Sequence, residues 1–82
     1  MDVVLTVHAR DVLAKREIAL AWVEQVLNAP EDTEVDRIDP MLVHYLARIA
    51  ENGGRVLRVI VNTQADPQRV VTVFFDRREA SR

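Results

Sequence analysis

Two histidines and a run of arginines are the residues in this chain that could do chemistry. Cleaving RNA without a metal needs a base for the ribose 2′-hydroxyl, cations to hold the phosphate, and an acid for the leaving oxygen. His44, Arg48 and Arg58 could divide those roles if one surface carried all three. Asn62, Thr72, Phe74 and Arg77 could line such a surface, with Phe74 offering a base a ring to stack on. The other histidine, His8, sits eight positions before Arg16. On a helix that is a rise of about 12 Å, too far for both to grip one phosphate. Two distant histidines and scattered carboxylates do not make a metal site, which needs three or four converging ligands. No glycine-rich phosphate loop and no nucleophile elbow is present. The sequence therefore predicts no metal and no cofactor.

Composition bounds what else the chain can be. There are 82 residues and no cysteine, so disulfides and thiolate chemistry are excluded. The length fits one small domain whose core must come from packing alone. The 11 basic and 13 acidic side chains leave a net charge of −2, which argues against binding nucleic acid by charge alone. The charge is unevenly spread. Residues 1–41 carry four basic and nine acidic groups, a net of −5, and residues 42–82 carry seven arginines against four acids, a net of +3. Arginine forks onto phosphate or carboxylate in a way lysine does not. No apolar run is long enough to cross a bilayer, and the first residues lack the basic segment of a secretory signal. A cytoplasmic protein is the expectation. One domain is expected over residues 1–76, with a short basic tail over 77–82.

The elements that must position these side chains follow from periodicity. Val3 to Thr6 reads as a strand. From His8 the period changes: Ala9, Val12, Leu13 and Arg16 lie on one helical face, and Thr6 is the expected N-cap. A second amphipathic stretch runs from Ala19 to Leu27 and stops at Asn28 and Pro30. No Gly or Pro separates the two, so two helices and one kinked helix both fit. Strands follow at Glu34 to Ile38, Leu42 to Ala50, Arg55 to Asn62 and Val70 to Asp76, with turns at Glu51 to Gly54 and at Ala65-Asp66-Pro67. The fold class predicted is α+β: a small antiparallel sheet with two N-terminal helices on one face, in the order β-α-α-β-β-β-β.

The hairpin register sorts residues onto faces. A three-residue loop of Asn52, Gly53 and Gly54 pairs Glu51 with Arg55, Arg48 with Arg58 and His44 with Asn62. Val43, Tyr45, Ala47, Ile49, Leu57, Val59 and Val61 then face the helices, extended by Val71, Val73 and Phe75. Tyr45 and Trp22 are packing residues in this reading. The other face carries His44, Arg48, Arg58, Asn62, Thr72 and Phe74. Two arginines directly opposite repel, so an anion, or a carboxylate such as Asp76, is expected between them. This face suits a phosphate backbone. It equally suits a protein partner or a second copy, since arginine and aromatics are enriched at such contacts.

The run Leu5-Thr6-x-His8-Ala9-Arg10-x-x-Leu13-x-x-Arg16-x-Ile18, with Leu57 to Val61 and Val71-Thr72-Val73-Phe74-Phe75-Asp76-Arg77, resembles a bacterial domain-of-unknown-function family, number 4258. That family is grouped with the RelE, ParE and BrnT toxins of type II toxin–antitoxin systems. The resemblance covers nearly the whole chain. It implies a RelE-like sheet with two helices on one face, a metal-independent ribonuclease, and an antitoxin that blocks it. His8 and Arg16 belong to the family motif. The family reads Arg-Gly-Ile where this chain has Arg16-Glu17-Ile18. The alternative function is a non-catalytic interaction module or homodimer working through the open sheet face or an edge strand.

Overall fold

The structure is a computed structural model that describes residues 3–77; the expected tail beyond Arg77 lies outside the described residues. It runs β1 (Val3–Leu5), α1 (Val7–Arg16), α2 (Leu20–Asn28), β2 (Asp32–Val35), β3 (Leu42–Ile49), β4 (Arg55–Asn62) and β5 (Gln68–Phe75). This is the α+β order read from periodicity. The five strands form one sheet in the order β1-β5-β4-β3-β2. The sheet is mixed rather than wholly antiparallel. β1 lies parallel to β5, because the helical segment carries the chain back before the remaining strands meander.

The helices are separate, and their ends explain why. Thr6 caps α1 by accepting a hydrogen bond from the Ala9 N–H at 3.0 Å. At the other end the Glu17 N–H donates to the Ala14 carbonyl and the Ile18 N–H to the Leu13 carbonyl. That double bond is a Schellman stop. It needs a left-handed residue, and Glu17 supplies it at φ 54°. Ile18 then turns inward to 5% exposure beside Leu13 in the core. A glycine takes this conformation without a Cβ penalty, and a glutamate does not. Replacing Glu17 by Gly should therefore stabilise the protein by about 1 kcal/mol in urea unfolding. No change, or a loss, would mean that Glu17 is not strained.

α1 and α2 cover one face of the sheet. Between them lie Ala9, Leu13, Ile18, Val23 and Val26, against Ala47, Ile49, Leu57, Val59, Val61, Val70 and Val73. Trp22 and Tyr45 are half-buried on the edge of this core, as expected of packing residues. Trp22 meets Phe75 edge-on, with ring centroids 6.0 Å apart.

The β3–β4 hairpin sorts residues as expected but in a register shifted by two. Ile49 pairs with Arg55, Leu46 with Arg58, Arg48 with Val56, His44 with Ile60 and Leu42 with Asn62. The loop is longer than three residues. The chain leaves β3 in a single 3-10 turn at Ala50–Asn52, and Gly53 and Gly54 both take positive φ to re-enter β4. A two-residue shift keeps every side chain on its face. Arg58 therefore lies opposite the helices but across from Leu46, and it does not face Arg48.

A second correction concerns β5. Ile60 pairs with Thr72 while Val61 pairs with Val70, so Val71 is the extra residue of a bulge. The bulge changes the phase, and Val70, at 1% exposure, enters the core in place of Val71. β2 covers Asp32–Val35 rather than 34–38. Asp36 ends it by accepting hydrogen bonds from the Ile38 and Asp39 N–H groups. Among the described residues no helix is long and apolar enough to cross a membrane.

Candidate functional site

The sheet face away from the helices is built around Arg58. β4 is the central strand and places this side chain between β3, β2 and β5. Its neighbours on the face include Leu46, Val56 and Ile60, each less than a tenth exposed. A guanidinium there is costly unless every donor is engaged. Arg58 Nε donates to Asp76 Oδ2 at 3.0 Å, and Nη2 reaches the same oxygen at 2.8 Å. Nη1 donates to Glu34 Oε1 at 2.5 Å and to His44 Nδ1 at 2.7 Å. An arginine can only donate, so Nδ1 of His44 is the acceptor. The hydrogen of the ring then sits on Nε2, which meets Asp36 Oδ1 at 2.7 Å. Asp36 is oriented in turn by the two N–H groups that its Oδ2 accepts.

The charges act on one another as this geometry requires. The hydrogen bond from Arg58 holds the Glu34 carboxyl below its ordinary value, against a smaller opposing effect of burial. Asp36 is also held low, first by the Asp39 N–H and then by His44 and the Ile38 N–H. For Arg58, burial works against the cation, but Glu34 and Asp76 outweigh it and keep the guanidinium above its ordinary value.

A carboxyl whose folded value is depressed contributes stability that is fully present above the ordinary carboxylate range, about pH 4. That contribution is lost as pH falls through the depressed values. The wild type should thus lose stability steeply below about pH 4. Glu34→Gln and Asp36→Asn should each flatten that limb in urea unfolding at stepped pH. Identical slopes in all three proteins would contradict the network.

The other candidates are dispersed. Arg48 is exposed, and its backbone N–H donates to Glu31 Oε1 at 2.7 Å. Asn62 accepts from the Gln64 and Ala65 N–H groups and so shapes the β4–β5 turn. His8 is exposed in the first turn of α1. Arg16, Thr72, Phe74 and Arg77 come together instead at the far end of β5. They line an open groove of about 510 Å³ with Arg55 and Phe75. Arg55 lies over the Phe75 ring, 4.8 Å from its centroid.

Sequence reasoning offered an acid from the 31–39 segment only as the alternative partner of Arg58, without singling out Glu34 or Asp36, and it did not name Arg55 as a site residue. A signal for the two acids was present: acids two apart on an edge strand point the same way. Asp76 was correctly marked as a carboxylate that could approach Arg58.

Residues 5–75 match a family model described as a domain of unknown function, DUF4258. The chain belongs to this family. No curated protein and no solved structure matches it. The DUF4258 match spans β1 through β5. It therefore includes the Arg58 network up to its last carboxylate and most of the arginine groove.

Proposed function

We propose that this chain is a toxin-like domain of the RelE/BrnT kind that works by binding a protein partner rather than by cleaving RNA at the His44–Arg48–Arg58 face. The observation that carries the reading is the engagement of Arg58. Three carboxylates, Glu34, Asp36 and Asp76, surround one buried guanidinium through direct contact or through His44. The guanidinium already donates to Asp76, Glu34 and His44, so an arriving phosphodiester would have to displace a carboxylate to reach it. His44 has both ring nitrogens engaged, so accepting a 2′-hydroxyl proton requires that it first release Arg58 or Asp36. Arg48 and Arg58 are not directly paired across the hairpin, so the like-charge pair expected to hold a phosphate between them is not formed there.

The strand and helix order supports kinship with RelE-like toxins, and that kinship makes a small antitoxin the natural class of partner. Homodimerisation through a sheet edge is the simplest other form of the same reading. The ribonuclease reading keeps one supporting observation, the grouping of Arg16, Arg55 and Arg77 beside two phenylalanines. Co-expression with the product of the neighbouring gene separates them. A stable complex is expected, together with intact labelled RNA after incubation with the free protein in chelator. RNA cleavage that His44→Ala abolishes would replace the binding reading with the catalytic one.

A further inference from the structure

The C-terminal half of β5 has no strand on its outer side. β1 pairs only with Gln68, Arg69 and Val70, and the chain then leaves the sheet edge for α1. The hydrogen-bonding phase tells which backbone groups are left there. The Asp76 N–H donates to the Val56 carbonyl at 2.9 Å. Alternation along an antiparallel pair then turns Phe74 and Thr72 toward β4, and turns Val73 and Phe75 outward. Arg16 agrees with this phase, since its Nη1 donates to the Val73 carbonyl at 2.9 Å across the open edge. The Val73 and Phe75 N–H groups and the Phe75 carbonyl therefore point away from β4 at the open edge, where Phe75 lines the groove. Among the described residues none of them has a backbone partner on that side.

The surroundings of this edge are cationic. Arg16, Arg55 and Arg77 line the groove with Thr72, Phe74 and Phe75. Among the described residues none of these three arginines forms an ion pair with a carboxylate. We propose that the groove takes an extended acidic peptide from a partner protein, added as a strand beside Val73 and Phe75, with its carboxylates on the arginines. The proposal rests on the binding reading above and names its surface and its ligand class. Outward N–H and C=O groups at strand spacing need acceptors and donors in alternation, which a peptide backbone offers. A phosphodiester offers acceptors only. The arginines set the sign of the partner and can fork onto its carboxylates. Side chains of the added strand would alternate between the faces that carry Phe74 and Phe75.

The test uses the full chain, labelled with ¹⁵N, and a synthetic eight-residue peptide of alternating glutamate and valine. Binding should shift the Val73 and Phe75 amide signals and slow their exchange with solvent. Arg55→Gln combined with Arg77→Gln should weaken binding by at least about tenfold. The same peptide N-methylated at alternate residues should also lose at least about tenfold, because it can no longer donate to the edge. Equal binding of the methylated peptide would overturn strand addition. If the peptide leaves β5 unshifted while the neighbouring-gene product still binds, this inference falls and the binding reading stands. If an oligouridylate occupies the groove and the peptide does not, both fall. Self-association that shifts Val73 and Phe75 without peptide would give the edge to a second copy, through the acidic β2 edge, and would overturn the partner peptide.

Discussion

Replacing Arg58 by Ala should destabilise the protein by about 3–5 kcal/mol, the usual consequence of removing one partner of a buried ion pair. Asp76, at 5% exposure, would lose the guanidinium that donates to it through Nε and Nη2, and His44 Nδ1 would lose its donor. The like-charge register expected from the sequence would have made the opposite prediction, relief of repulsion and a slight gain. Arg58 instead lies across from Leu46. Changing both partners to apolar residues of similar size, Arg58→Met with Asp76→Val, should recover much of the loss, because both desolvation costs disappear. Urea unfolding of the two singles and the double decides the matter. A near-neutral Arg58→Ala would mean that the network contributes nothing to folding.

Leu57→Ala should cost about 2–5 kcal/mol. Leu57 is fully buried on the helix side of the central strand and pairs with Phe75 on β5. It sits among Ile49, Val59 and Val73, whose backbones are fixed by the sheet, so the vacated space cannot close. The two large effects lie on opposite faces of β4 and share no partner. A cost for Leu57→Ala well under 1 kcal/mol, read from the urea midpoint, would place the core elsewhere.

The faces of the hairpin were legible because side-chain direction has a period of two, and any even shift preserves it. His44 and Arg58 share a surface under either register. The register itself was not legible. Ala50 and Glu51 continue the alternation of β3 and give no sign of the 3-10 turn that lengthens the loop. The bulge at Val71 was hidden for a similar reason: Val70 and Val71 are the same residue, and only the pairing with Val61 decides which one enters the core. The helix break at Glu17 had no Gly or Pro to mark it, since this chain places a glutamate in the left-handed position.

The site was legible in membership and not in state. His44, Arg58 and Asp76 were placed on one face from alternation alone. That Arg58 is saturated by Glu34, 24 residues away on an edge strand, depends on where β2 docks, and no local pattern encodes that. The groove at the open end of β5 depends on β1 being only three residues long, so that its pairing stops at Val70. Arg16, read as a motif residue on α1, acquires its role only there.

The central claim is that Arg58 belongs to a closed network and is not held ready for RNA. Nitrogen-15 spectra of the arginine Nε–H groups test it directly, with a single-stranded RNA titrated into the protein. The Arg58 Nε–H should exchange slowly with solvent and keep its position throughout, whatever the exposed arginines do. A shift or broadening of that one signal on adding RNA, absent in Asp76→Asn or His44→Ala, would contradict it.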